Sequence, residues 1–285
     1  MPAALAKMPR GSIFLHGIRA GFCGSRLNLL ANGRFADTIR IRFFFIWFLR
    51  GVFHMQPRNV YDYTDVGGSV SAQSTLLRKT YGLLGLSFLP AAAGAFVAMA
   101  TGLSLFSFTG NDWVALGIFF AFFYGMSFLI EKNRYSNVGA ALLMVLTFGL
   151  GFTLGPILNY SLALSNGIQL IGIAAVMTAA VFLSMAAMAK SPTFQTNSIA
   201  RFVTVGFVVA AIAMVASFFL QIPALSLTVS ALFVIVSSVL IMWQVRVIIE
   251  GGEDSHISAA LTLFVAIYNI FTGLLRLLLA FAGED

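Results

Sequence analysis

Apolar residues in this chain fall into seven long runs, and charged residues stand almost only at the ends of those runs. Each run has about 20 residues, the length that an α-helix needs to cross the hydrocarbon core of a bilayer. A helix also satisfies its own backbone hydrogen bonds in lipid, which an open strand cannot do. The pattern therefore predicts seven transmembrane helices, over residues 80–103, 113–130, 138–160, 168–189, 202–220, 225–249 and 257–281.

The composition supports this interpretation, since 59% of the residues are hydrophobic and only 9% are charged. With a mean hydropathy of +0.93, the chain has more apolar surface than one soluble core could bury. The loops between the predicted helices are short, so residues 80–285 leave no room for a separate soluble domain. We expect an all-α membrane protein whose main solvent is the lipid bilayer.

The positions of lysine and arginine predict how the helices are oriented. These residues precede the first helix and occupy the loops after the second and fourth helices, whereas the alternate loops contain none. Because cytoplasmic loops are enriched in lysine and arginine, the amino terminus is expected in the cytoplasm and the carboxyl terminus outside. The residues that carry this signal are Arg78, Lys79, Lys132, Arg134, Lys190 and Arg201.

The net charge of +7 lies entirely in residues 1–54, which hold eight basic residues and the single acid Asp37. Residues 55–285 hold nine basic and nine acidic residues, so no nucleic-acid partner is expected for the bundle. The leader contains no apolar run long enough to span a bilayer and matches no targeting signal. We interpret it as a start-site artefact ahead of Met55, or alternatively as a basic membrane-surface segment, with residues 55–79 forming a cytoplasmic tail.

Small residues predict close packing between helices. Gly151 and Gly155 form a GxxxG pair in the third helix, and Ala175 and Ala179 give the fourth helix a similar face. Packing inside the bundle is the simpler interpretation, with a dimer interface as the alternative. Pro156 predicts a static kink beside this pair.

Polar residues inside the predicted helices are candidates for a functional site, because such residues are costly in lipid. Asn269 falls near the middle of the seventh helix, while Ser237 and Ser238 fall near the middle of the sixth. If these helices are neighbours, a substrate or ion site is one interpretation and a simple interhelical hydrogen bond is the other. Gln244 lies nearer the cytoplasmic end of the sixth helix, beside Arg246, which we expect to snorkel to the interface.

Several classes of membrane enzyme are excluded by the residue types. A retinal protein needs a lysine in its last helix, and that helix has none. An intramembrane serine protease needs a histidine at depth, but His16, His54 and His256 all lie outside the predicted helices. A zinc protease motif is absent, and residues 253–256 are explained more simply as the cap of the last helix. We expect no enzyme activity, no cofactor and no metal site.

Three segments of the chain carry a recognisable pattern. Residues 151–158 read GFTLGPIL, and residues 266–271 read AIYNIF. Between them, residues 219–253 read FLQIPALSLTVSALFVIVSSVLIMWQVRVIIEGGE, which ends in the loop motif Gly251, Gly252 and Glu253. These segments resemble the Bax inhibitor-1 family, most closely its bacterial YccA-like branch, and the resemblance runs from about residue 74 to the carboxyl end. It implies a seven-helix bundle in the inner membrane with the last helix near its centre.

The resemblance implies two alternative functions. In the YccA-like branch, the protein modulates the membrane-anchored ATP-dependent quality-control protease, which would engage the cytoplasmic tail. Other members resemble pH-gated calcium leak channels that use a pair of carboxylates. The positions that match this pair are Gln244 and Ala266, and neither side chain can titrate. Modulation of the protease, as regulator or client, is therefore preferred over a cation leak.

Overall fold

A computed structural model describes residues 66–104, 110, 112–191, 196–220 and 222–282, and these residues fold into helices without a strand. The predicted leader, residues 1–54, and the first part of the predicted tail lie outside the described residues. The helices within the described ranges are α1 (Val66–Thr101), α2 (Asp112–Lys132), α3 (Asn137–Leu162), α4 (Gly167–Met188), α5 (Thr196–Leu220), α6 (Pro223–Ile249) and α7 (His256–Ala282).

All seven described helices are long and apolar enough to cross a membrane, so the predicted all-α fold with seven such helices is confirmed. Most predicted ends agree with the structure to within two residues. Two helices begin more than two residues before the predicted start. Helix α5 begins at Thr196, and α1 begins at Val66, within the segment expected to be a tail. The apolar pattern marks the part of a helix that lies in lipid, and it carries no signal for polar turns that extend beyond it.

The last helix, α7, forms the core of the bundle. It packs against α1, α2, α3, α4 and α6, so most of its sides face protein. The prediction that the last helix lies near the centre is therefore confirmed. Its most deeply buried large side chains, with none of their surface exposed, are Leu263, Ile270 and Leu275.

Helices α1 and α3 approach each other at the predicted GxxxG pair. A Cβ atom at Gly151 would overlap the carbonyl oxygen of Ala91, and one at Gly155 would overlap the Cβ atom of Ala98. The pair therefore packs inside the bundle, where only glycine allows the two backbones to come so close. Pro156 lies inside α3 on its exposed side.

The prediction that Ala175 and Ala179 pack inside the bundle is wrong, while a dimer interface at this face of α4 stays a prediction. Ala175 and Ala179 are both exposed, whereas Leu170, Ala174 and Thr178 are buried. These three residues recur every four positions, so they form one stripe of the helix, and α4 packs against α7 and α6. The small residues Ala175 and Ala179 lie on another side of α4, which faces outward. The prediction failed because the sequence alone does not show which of two apolar stripes meets protein.

The ends of the helices that carry most of the charge meet at one end of the bundle. The loop after α2 contacts the loop after α6, and the loop after α4 contacts the end of α6. The start of α1 joins them, since a Cβ atom at Gly251 would lie 3.2 Å from Nε2 of Gln73. We call this side, formed by the start of α1 and the loops after α2, α4 and α6, the charged end.

Candidate functional site

Arg134, in the loop after α2, binds three carboxylates at the charged end. Its Nη2 donates to Oε1 of Glu253 at 2.7 Å and also to the carboxylate of Asp254. Its Nη1 lies 3.6 Å from Oε2 of Glu131, and the hydroxyl of Tyr135 donates to Asp254 at 2.9 Å. One guanidinium therefore joins the loop after α2 to the loop after α6.

Glu253 is the most buried carboxylate among the described residues of this network, with only 2% of its side chain exposed. Its Oε1 accepts hydrogen bonds from the backbone N–H groups of Asp254 at 3.1 Å and Ser255 at 3.0 Å, besides the one from Arg134. Burial raises the pKa of the Glu253 carboxyl above its ordinary value, and the Ser255 N–H and Arg134 oppose only part of this shift. The Ser255 N–H and Arg134 are therefore the main groups that favour the charged form of Glu253.

The start of α7 is held by a serine cap, as the sequence predicted for this loop. The backbone N–H of Ser258 donates to Oγ of Ser255 at 3.2 Å, which is the bond expected of an N-cap residue. The Ser255 hydroxyl itself donates to the backbone carbonyl of Arg134 at 2.6 Å, and the Ser258 hydroxyl donates to Glu131 at 2.6 Å. The cap thus fixes α7 to the loop after α2.

A second network surrounds Arg246, near the end of α6. Its Nε donates to Oε1 of Glu250 at 2.6 Å, and its Nη1 donates to the carbonyl oxygens of Ala189 at 3.3 Å and Ser191 at 2.8 Å. Oε2 of Glu250 accepts from the hydroxyl of Thr196 at 2.6 Å. Arg246, which we expected to snorkel to the interface, is therefore bound to the end of α4, and Glu250 to the start of α5.

Gln244, one of the two positions matched to the family's carboxylate pair, is fully buried within α6. Neither its Oε1 nor its Nε2 has a hydrogen-bond partner among the described residues. Ala266, the other matched position, is also fully buried. A buried amide without protein partners is usually satisfied by water.

The remaining residues of the predicted intramembrane site are not joined by hydrogen bonds. Helices α6 and α7 are neighbours, as that prediction required. The hydroxyl of Ser238 donates to the carbonyl of Val234 within its own helix, at 2.6 Å. Ser237 is fully buried with an unpartnered hydroxyl, and the half-buried Asn269 side chain has no hydrogen bond within the described residues. A substrate or ion site at these residues stays a prediction.

One hydrogen bond joins two of the segments that resemble the Bax inhibitor-1 family, and no pattern in the sequence indicated it. Oγ1 of Thr153, in the GFTLGPIL segment of α3, lies 2.7 Å from the hydroxyl of Tyr268, in the AIYNIF segment of α7. Thr153 also donates to the carbonyl of Leu150, as threonine commonly does in a helix, which leaves Tyr268 to donate to Thr153. Nothing in the spacing of either segment indicated that the two would meet.

The described residues contain no candidate metal site. Within them, no group of three or more histidine, cysteine, aspartate or glutamate side chains is placed to hold a metal ion. The described carboxylates at the charged end are bound to Arg134, Arg246 or nearby hydroxyl groups, and these bonds join the ends of α2, α4 and α6 to the starts of α5 and α7. The arrangement is that of an ordered surface at one end of the bundle.

Comparison with known proteins agrees with this description. The family model described as inhibitor of apoptosis-promoting Bax1 matches residues 73–283. An uncharacterised protein of Neisseria meningitidis serogroup A is 54% identical over 227 residues, which cover 80% of this chain and 99% of that protein. An uncharacterised protein of Pseudomonas aeruginosa is 39% identical over 74% of this chain and 92% of its own length.

A relative with a named role is the modulator of FtsH protease YccA of Escherichia coli K12. It is 36% identical over 217 residues, which cover 76% of this chain and 94% of that protein. The corresponding protein of another E. coli strain is called inner membrane protein YccA. With these relatives and seven helices able to cross a membrane, the chain is a multi-pass inner-membrane protein. It belongs to the Bax inhibitor-1 family and is similar to its YccA-like members.

Proposed function

We propose that this protein modulates the membrane-anchored ATP-dependent protease of the inner membrane, either as a regulator or as a slowly processed client. The observation that carries the proposal is its 36% identity with the E. coli modulator of FtsH protease over 94% of that protein. The protein itself acts without enzymatic activity. In support of this, the described residues place their only histidine, His256, at the first residue of α7 and outside the apolar core.

The charged end faces the cytoplasm in this proposal, and the carboxyl terminus lies outside. Among the described residues, all three lysines and four of the five arginines lie in or near that end, which supports this orientation. The protease would then meet the chain at the segment ahead of α1. Since α1 begins at Val66, the segment available to it ends about where the helix starts.

Pull-down of the membrane protease with the full chain tests the proposal. Deletion of residues 55–65 leaves α1 intact, so the bundle should fold while recovery of the protease is lost. A longer deletion of residues 55–74 would also remove Gln73, which lies against Gly251, and so it serves as a comparison in which folding is disturbed as well. Recovery no higher than with an unrelated seven-helix protein would refute the proposal.

The cation leak is the second candidate function, and the buried, unpartnered Gln244 is the observation that favours a polar path inside the bundle. A glutamine cannot change its charge, so we expect no calcium flux that switches with pH. Calcium flux into liposomes at acidic and alkaline pH measures this directly, with Gln244→Ala as the matched variant. A strong flux that switches with pH in the wild type and disappears in the variant would establish the leak and contradict the expectation.

A further inference from the structure

At the charged end, the described carboxylates already have hydrogen-bond partners, and the described basic residues outnumber them. Each described acid there, namely Glu131, Glu250, Glu253 and Asp254, accepts a hydrogen bond from an arginine, a serine, a threonine or a tyrosine. Only two arginines form ion pairs with these acids among the described residues. The basic residues of this end without an ion pair in the same residues are Arg78, Lys79, Lys132, Lys190 and Arg201.

Two of these cations, Lys190 and Arg201, belong to segments that are bound to the end of α6. Arg246 binds the carbonyl of Ser191, which follows Lys190 directly, and so fixes the end of α4. Glu250 binds the hydroxyl of Thr196 and so fixes the start of α5, which carries Arg201. The ion pair between Arg246 and Glu250 at 2.6 Å therefore sets both cation-bearing segments against one helix end.

Arg201 is an exposed residue in the second turn of α5, a helix long and apolar enough to cross a membrane. It lies five residues after Thr196, about 7.5 Å along the axis of α5. Arg201 is exposed, and the next residue, Phe202, is 52% exposed on the side of α5 that faces lipid. A guanidinium at this depth extends to the headgroup layer, where lipid phosphates supply the missing negative charge.

We propose that Lys190 and Arg201 bind the headgroup of an anionic phospholipid beside the end of α6. The two cations are free of carboxylate partners in the described residues, and the segments that carry them are fixed by Arg246 and Glu250. An anionic lipid fits better than a soluble phosphate, because Arg201 lies beside the lipid-facing residues of its helix. This inference does not depend on the proposed modulation of the protease.

Binding of phosphatidylglycerol to the purified full chain in phosphatidylcholine nanodiscs tests the proposal. Each basic side chain at an anionic lipid surface contributes about fivefold in affinity, so Lys190→Ala with Arg201→Ala should weaken binding about thirtyfold. Lys190→Ala with Arg201→Lys keeps one of the two charges and should bind about fivefold more tightly than the double alanine variant. Unchanged circular dichroism and thermal unfolding in phosphatidylcholine alone establish that the variants are folded.

Two controls separate a defined site from general surface charge. Arg78→Ala combined with Lys79→Ala removes two cations without an ion pair from the same charged end, and a defined site predicts a loss of less than about fivefold, whereas general surface charge predicts about thirtyfold. Arg276→Ala, near the other end of α7, should leave binding unchanged. A loss in the Arg78 and Lys79 double variant as large as that in the Lys190 and Arg201 double variant would overturn the proposal. Competition by inorganic phosphate as effective as that by phosphatidylglycerol would also overturn it, since the ligand would then be a soluble anion.

Discussion

Arg134→Ala is expected to lower the free energy of unfolding by about 3 kcal/mol, as is typical when one partner of a largely buried ion pair is removed. The variant leaves the carboxylates of Glu131, Glu253 and Asp254 close together without their shared cation. Glu253 carries most of the cost because only 2% of its side chain is exposed, whereas Asp254 is largely solvated. Unfolding in a mixed-micelle denaturant titration measures the loss.

The change of the stability loss with pH distinguishes an unpaired Glu253 carboxylate from a general loss of packing in Arg134→Ala. Burial already raises the pKa of Glu253 above its ordinary value of 4.5, and loss of Arg134 should raise it further. A carboxyl with a raised pKa in the folded state favours folding below its ordinary pKa and loses that contribution as the pH rises through the raised value. The deficit of Arg134→Ala should therefore be smallest near pH 4.5 and grow toward neutral pH.

Two further variants complete this test. Arg134→Ala combined with Glu253→Gln should recover part of the lost stability, since the buried charge is removed together with its partner. Lys132→Ala, two residues away and without an ion pair among the described residues, should change stability little. The explanation fails if Lys132→Ala is as unstable as Arg134→Ala, or if the deficit of Arg134→Ala does not vary with pH.

Gly151→Leu is expected to destabilise the bundle by about 3 kcal/mol or more, the upper range for overpacking a tight interface. Any side chain at this position would overlap the carbonyl oxygen of Ala91, which belongs to a helix backbone and cannot rotate away. The two helices would have to separate along their contact. The fraction of folded protein after detergent extraction, together with the same denaturant titration, measures the effect.

Gly172→Leu is the matched control for this prediction. Gly172 lies in α4 on an outward-facing side, and no atom lies within 4 Å of the position of its missing Cβ atom. The same substitution there should be tolerated, and the added apolar side chain would meet lipid. Equal stability of the two variants would show that the approach of α1 to α3 is not the tight contact described above.

The sequence predicted the helices that cross the lipid bilayer. It did not predict the contacts that join segments far apart in the chain. Helix positions followed from apolar length, because each residue in lipid must be apolar irrespective of its neighbours. Arg134 was interpreted only as a marker of orientation, since its partners lie 119 and 120 residues away. The first turns of α1 were missed because their polar residues match a solvated tail as well as a helix that lies against Gly251.

In the candidate site too, local features could be predicted from the sequence and contacts between distant segments could not. The cap at Ser255 was predictable because capping is local, within four residues of the chain. The hydrogen bond between Thr153 and Tyr268 was not, because it joins two helices whose adjacency no spacing in the sequence reveals. From the sequence, Gln244 could be identified only as a residue that cannot titrate. The fold shows in addition that its amide is buried and has no hydrogen-bond partner among the described residues.

The central position of α7 has a consequence for biosynthesis. Five other helices pack on α7 and precede it in the chain, so they enter the membrane before their common interior exists. During that interval the cap at Ser255 has no helix to hold against the loop after α2. A chain that stalls before α7 would therefore remain a set of helices without a shared core.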